Sequence, residues 1–247
     1  MSDAIRMLQP YTSLDDDGLA AVYAVRDRSA PWLRVNMVSS ADGAGTRRGR
    51  SGGLGTAADR RVFEVLRWLS DVIVVAAGTV RAEGYAGPLI SSEGRAWRVE
   101  EGLAEHPQFA IVSGSLDLDP ASALFTEAVH RPIIITCENA PAEGRAALAA
   151  VADVVDCGVA SVDTRQLKQH LADRGLTQQH CEGGPHLLGA LAADGAIDEL
   201  CLTISPLLEG GPAERIARGP DAAGLPLRLA HALAADDGTV LLRYTRA

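Results

Sequence analysis

The sequence predicts an α/β fold: a mainly parallel central sheet flanked by helices, ending in an antiparallel C-terminal hairpin. Short apolar runs alternate with amphipathic stretches of helical length, the rhythm of right-handed parallel crossovers. Ala, Val, Leu and Gly dominate while only 4% of the residues are aromatic, which suits buried parallel strands under Ala/Leu-rich helices. Near the end, Asp237-Gly238 stands between two apolar runs and signals a hairpin.

Each element follows from local chemistry. Residues 1–30 read as an N-terminal extension packed on the domain at 31–247, with an acidic run at Asp15 to Asp17 and then a short helical stretch. Pro31 precedes the first strand, 32–39. Residues 42–55 are rich in Gly, Arg and Ser without periodicity, and a long irregular loop inside a compact domain is often functional. Thr56 is an N-cap for a helix over 57–70, whose apolar face carries Val62, Phe63, Val65, Leu66 and Leu69. A buried strand spans 72–77, and Gly78-Thr79 turn into a short helix. Residues 87–107 are polar and read as a surface loop.

A second series follows, with strands at 109–112 and 132–136 and a helix at 141–152 that has Pro141 near its start. A short strand at 154–157 leads to a helix capped by Ser161 and stopped at Gly175. Then come a strand at 178–181, a helix at 184–193 and a strand at 199–206. The runs 225–234 and 239–244 form the closing hairpin.

Bulk properties exclude several function classes. The 247 residues carry a net charge of −9, which opposes non-specific binding to nucleic acid. No apolar run approaches the roughly 18 residues of a membrane span, and Met1 to Pro10 lack the pattern of a signal peptide, so a cytoplasmic protein is expected. Cys137, Cys157, Cys181 and Cys201 have no C-x-x-C spacing and read as buried thiols. The histidines form no H-x-x-x-H pair, and neither a metal site nor a serine hydrolase is expected.

Two segments share one design, a buried strand that ends in glycine where a helix starts. They are Val74-Val75-Ala76-Ala77-Gly78-Thr79-Val80 and His180-Cys181-Glu182-Gly183-Gly184-Pro185-His186. Glycine lets a ligand approach the backbone, and free N–H groups at a helix start favour an anion. Each is also an ordinary βα turn, and neither is a G-x-G-x-x-G fingerprint. Glu182 is badly placed for solvation unless it faces a cleft or caps nearby N–H groups. His180-Cys181-Glu182 matches the H-x-E of zinc deaminases, but their P-C-x-x-C is absent. The Arg47-Arg48-Gly49-Arg50 cluster is either a phosphate site or solvated.

Asn36-Met37-Val38-Ser39-Ser40-Ala41-Asp42-Gly43 resembles the K/N-x-A/G-x-S/T-L-D-G signature of the riboflavin-pathway pyrimidine reductases. Leu66-Arg67, Ser70-Asp71 and the strand through Gly78-Thr79-Val80 resemble their second signature. Glu182-Gly183-Gly184-Pro185, followed by Asp198-Glu199-Leu200 and the segment 206–211, resembles their third. The resemblance covers about residues 32–245. It implies a dihydrofolate-reductase-like fold, a homodimer and NADPH as cofactor. The implied reaction reduces 5-amino-6-(5-phosphoribosylamino)uracil to the ribitylamino form by hydride delivery to an imine carbon at C1′ of the opened sugar.

By position, the resemblance places Val38, Gly53, Gly78, Thr79, Val80, Gly183, Gly184, Pro185 and His186 at the cofactor, with Ser113 toward the adenosine 2′-phosphate. It places Ser51, Arg67 and Glu182 at the substrate, with Asn36, Asp42 and Tyr85 as further substrate-binding candidates. Arg67 is the expected phosphate- or substrate-binding arginine, or else a surface partner of Glu64 or Asp71. Asp42 reads equally as a loop-fixing carboxylate. The catalytic candidates are Glu83 and Glu182, and the proton donor stays open between them and a bound water. Where the family reads D-D-P, this chain has Glu83-Gly84-Tyr85, an altered rim with an aromatic face suited to stacking on a flat heterocycle. Two alternatives therefore stand: an NADPH reductase of the same fold acting on a heterocycle such as dihydrofolate, or a non-catalytic NADPH-binding protein. For dihydrofolate, Asp59 and Glu64 are the carboxylates to consider on the first long helix. Asp59 also fits a first-turn role, and Glu64 reads as exposed.

Overall fold

The computed structural model describes residues 12–219 and 224–247. The stretch Met1 to Pro10 lies outside the described residues. In chain order the elements are α1 (Asp16–Tyr23), β1 (Trp32–Ser40), α2 (Ala57–Trp68), β2 (Val72–Ala76), α3 (Ala77–Glu83) and α4 (Ser92–Glu100). Next come β3 (Gln108–Val112), α5 (Ala123–Thr126), β4 (Ile133–Thr136), α6 (Ala142–Ala149), β5 (Asp153–Asp156) and α7 (Thr164–Asp173). The chain continues through β6 (Gln178–Cys181), α8 (Pro185–Ala193), β7 (Glu199–Ser205), β8 (Leu227–Ala234) and β9 (Val240–Arg246).

The strands make one sheet in the order β5-β4-β3-β2-β6-β1-β7-β9-β8. It is parallel from β5 to β7, and the β8–β9 hairpin adds an antiparallel edge. The architecture is the α/β fold the sequence predicts. Its hairpin turn runs through Gly238 at φ 88°, with Ala235 N–H donating to Thr239 O at 2.9 Å.

Both faces of the sheet are buried, as parallel strands require. On one face Leu33, Val35, Val72, Val74 and Cys181 pack under Leu167, Leu171, Leu187 and Leu191 of α7 and α8. On the other, Ile73, Val75, Ile111 and Ile134 form one cluster, while α1 and α2 bring Leu19, Tyr23, Val62 and Leu66 over Cys201 and Leu241. All four cysteines are free and buried.

The expected surface loop at 87–107 instead contains α4, capped by Ser91, whose hydroxyl accepts from Gly94 N–H at 3.1 Å. Few apolar residues mark this helix because Arg98, not an apolar residue, points inward. It is 1% exposed and donates to the carbonyls of Trp68, Ser70 and Ala104. Trp97 packs beside Trp68, with ring centroids 5.8 Å apart. The cap of α7 is Asp163 rather than Ser161, its carboxylate accepting from Arg165 and Gln166 N–H. The first long helix stops at Trp68, short of 70, where the Ser70 hydroxyl takes the Arg67 carbonyl at 2.8 Å.

Candidate active site

Strand β6 lies between β1 and β2, so the two glycine turns are neighbours. Val74 pairs with Cys181, and Ala76 N–H donates to Gly183 O at 2.8 Å. A Cβ built on Gly184 would stand 2.6 Å from Thr79 Oγ1, so only glycine allows this approach. Helices α3 and α8 both start here without a side-chain cap, which leaves first-turn N–H groups open to a ligand.

A cavity of about 740 Å³ opens at these turns. It lies within the range of pockets that bury small ligands and cofactors. Of the residues expected from sequence, the structure brings together here Asn36, Val38, Ser51, Arg67, Gly78, Thr79, Glu83, Tyr85, Glu182, Gly184, Pro185 and His186. A second cavity, about 420 Å³ and lined by Tyr23, Arg34, Trp97 and His180, contains none of them.

Five expected residues fall outside the cavity lining. Asp42 is a loop-fixing carboxylate that accepts from Ser40 Oγ, Glu209 N–H and Gly210 N–H. The Ser40 hydroxyl and these N–H groups hold its carboxyl down to about 2. Ser113 is 3% exposed, and its oxygen accepts from Leu116 N–H at 3.0 Å, which makes it a turn residue. Val80 is buried in the core beneath α3. Gly53 packs against Arg47, and its neighbour Gly52 lines the cavity instead. Gly183 serves the backbone, at φ 88° and against Met37. The Arg47 side chain pairs with Glu209 at 3.2 Å.

Arg67, Glu182 and Tyr85 form the polar wall. Arg67 reaches from α2 to Glu182 through a bidentate pair, Nε to Oε1 at 2.6 Å and Nη2 to Oε2 at 2.8 Å, and Nη1 donates to Leu89 O. It pairs with neither Glu64 nor Asp71. Glu64 accepts from Trp68 Nε1 and Ser91 N–H, and Asp71 pairs with Arg28. The Tyr85 hydroxyl donates to Glu182 Oε2 at 2.6 Å. Its ring stacks on Phe109 at 5.8 Å, so that face is already taken by the protein.

Burial pushes the Glu182 carboxyl up, but the Arg67 charge and hydrogen bonds outweigh it, helped by His180 and Tyr85. The result lies below the ordinary carboxylate value. Glu182 is therefore an anion at neutral pH and anchors Arg67 and Tyr85. Burial, then Glu182, raises the Tyr85 phenol and keeps it a neutral donor. His180 is 1% exposed, 3.5 Å from Glu182, and burial pushes it down to about 4, so its imidazole is uncharged. Glu83 is exposed and accepts from Ser51 N–H and Oγ, which tethers the glycine-rich loop to α3.

Sequence reasoning missed Phe63 on α2 and weighed Asp59 only as a dihydrofolate contact. Asp59, Phe63 and Arg67 all line the cavity. They stand at i, i+4 and i+8, one face of a helix, and that spacing was available once Arg67 had been chosen. Phe63 supports the guanidinium from 4.4 Å.

No helix among the described residues is long and apolar enough to cross a membrane. Residues 31–241 match the family model of the RibD C-terminal domain. Two relatives carry the name 2,5-diamino-6-ribosylamino-4(3H)-pyrimidinone 5′-phosphate reductase. The protein from Archaeoglobus fulgidus is 28% identical over 73% of this chain and 83% of its own length. The one from Methanothermobacter thermautotrophicus is 29% identical over 87% of this chain and 98% of its own. A solved pyrimidine reductase-like protein from Corynebacterium diphtheriae superposes with a TM-score of 0.81 at 26% identity, covering 93% of this chain and 98% of that one. With its sheet order, its paired glycine turns and this match over most of its length, the chain belongs to the RibD C-terminal domain family of pyrimidine-reductase-like proteins with a dihydrofolate-reductase-like fold.

Proposed function

We propose that this chain is an NADPH-dependent reductase that converts 5-amino-6-(5-phosphoribosylamino)uracil to its ribitylamino product in riboflavin biosynthesis, working as a cytoplasmic homodimer. One observation carries this reading: Thr79 and Gly184 meet at the cavity that Arg67, Glu182 and Tyr85 also line. The clearance that glycine leaves at Gly184 and the uncapped starts of α3 and α8 fit a dinucleotide diphosphate. Val38, Gly78, Thr79, Gly184, Pro185 and His186 would hold it. Bound NADPH supplies a hydride equivalent.

The protein's own residues bind and orient. Three of the five Arg67 N–H donors serve Glu182 and Leu89. The rest of the fork, with the amide of Asn36 and the hydroxyl of Ser51, recognises the sugar phosphate and the ring. Glu182 fixes the arginine, so the acceptor carbon is presented in one orientation.

The test is NADPH oxidation with two substrates, the uracil compound and the 2,5-diaminopyrimidinone named for the archaeal relatives. The expected result is turnover of the uracil compound to a ribityl product. Turnover of neither compound overturns the reading. A second reading, reduction of dihydrofolate, draws on Asp59, a carboxyl at this cavity on the first long helix. Dihydrofolate is therefore the third substrate, and NADPH binding without turnover of any of the three marks a non-catalytic binding protein.

A further inference from the structure

Four carboxyl groups line the cavity: Asp59, Glu83, Glu182 and Glu214. Three are committed to donors that stabilise the anion. Glu182 holds Arg67 and Tyr85, Glu83 holds the Ser51 N–H and hydroxyl, and Glu214 pairs with Arg218. Asp59 differs. It is half-buried, lines the cavity one turn before Phe63 and two before Arg67, and makes no ion pair among the described residues.

We propose that Asp59 is the proton donor of the reaction, supplying the nitrogen of the C=N bond that is reduced in this cavity. The proposal rests on the reductase reading above. Hydride addition at C1′, with oxidation of the dihydronicotinamide that supplies it, forms one C–H bond and moves the C=N π pair onto nitrogen. The Asp59 O–H bond breaks, its proton completes the amine N–H, and a carboxylate remains. Solvent returns the proton through the open cavity before the next turnover. Burial favours the protonated form and raises this carboxyl above the ordinary Asp value, against the charge of Arg60 on the same helix. The other charged or titratable groups lining the cavity are Arg67 on α2, Glu83 on α3, Tyr85 after α3, Glu182 after β6, His186 on α8 and Glu214.

Two measurements test this. The first needs no substrate: the aspartate 13Cγ resonances of the ligand-free protein are followed against pH in wild type and Asp59→Asn. One resonance, absent in the variant, is expected to titrate above the ordinary Asp range. If that resonance titrates at or below 3.8, the proposal is overturned. The second is single-turnover reduction of the uracil compound by wild type, Asp59→Asn and Asp59→Glu. Asp59→Asn is expected to lower the rate about 10²- to 10⁴-fold with NADPH affinity unchanged, and Asp59→Glu to recover part of it. In wild type the rate falls as pH rises through the Asp59 titration, and that limb vanishes in Asp59→Asn. A raised KM with kcat intact makes Asp59 a binding contact and overturns the proposal. If wild type leaves the uracil compound unreduced, the substrate reading fails, and the carboxyl titration alone then decides the assignment.

Discussion

Arg67 and Glu182 are 115 residues apart in sequence and meet through two hydrogen bonds of 2.6 and 2.8 Å. The pair joins helix α2 to the turn after β6, with side chains 13% and 1% exposed. Removing the arginine strands a buried carboxylate, which costs about 3–5 kcal/mol. Arg67→Ala is therefore expected to lower the unfolding free energy by about that amount in urea titration. Arg67→Lys keeps the charge but loses the fork, and is expected to fall between the two.

Gly184 tolerates no side chain beside Thr79, because a Cβ there would lie 2.6 Å from Thr79 Oγ1. Gly184→Ala is expected to weaken NADPH binding by about tenfold or more, roughly 1.4 kcal/mol. The double variant Gly184→Ala/Thr79→Ala removes the clashing oxygen and is expected to regain part of the affinity. Fluorescence titration with NADPH reads both, and full independence of the two changes would contradict the contact.

The buried side of α4 gives a third prediction. A Cβ on Gly94 would sit 2.2 Å from Trp68 Nε1. Overpacking of this kind costs about 1–3 kcal/mol. Gly94→Ala is expected to lower Tm by several degrees in calorimetry, and adding Trp68→Phe, which removes the nitrogen, to restore part of the loss.

Acid stability should fall in two stages. Burial pushes His180 from 6.5 down to about 4, so the unfolded chain binds its proton first and stability drops as pH falls from 6.5 to 4. Burial raises the Glu199 carboxyl, but Arg34 and Arg243 outweigh it and carry it from 4.5 to about 2. Its contribution is complete above about pH 4.5, disappears as pH falls toward 2, and is on the order of 3 kcal/mol. Urea titrations across pH should show His180→Gln flattening the upper stage and Glu199→Gln the lower.

The parallel strands were legible because β-branched runs such as Val72 to Val75 have few other uses, and Asp237-Gly238 announced the hairpin. Helix α4 was hidden because an arginine occupies the buried position that periodicity assigns to an apolar side chain. At the site, the glycine turns and Arg67 could be read locally. The partner of Arg67 could not, since Glu182 reaches it only through the placement of β6 between β1 and β2. Asp59 was set down as a first-turn residue, and its N–H does donate to the Thr56 cap at 3.2 Å. That local fit concealed a side chain at the cavity. Ser113 shows the reverse case: a serine just past a strand suggested a ligand contact, and its oxygen accepts from Leu116 N–H in the turn.

The strand order has a consequence for how the molecule is made. β1 and β2 form early in the chain, yet they never touch, because β6 fills the slot between them. A nascent chain that has not yet produced residues 178–181 carries the block β2 to β5 and a lone β1, whose other neighbour, β7, also lies further along the chain. Pairing across such sequence distance is slow, so insertion of this strand is the natural bottleneck of folding. Glu182 and Gly184 follow it immediately, so the two glycine turns are brought together in the same step that joins β1 to β2.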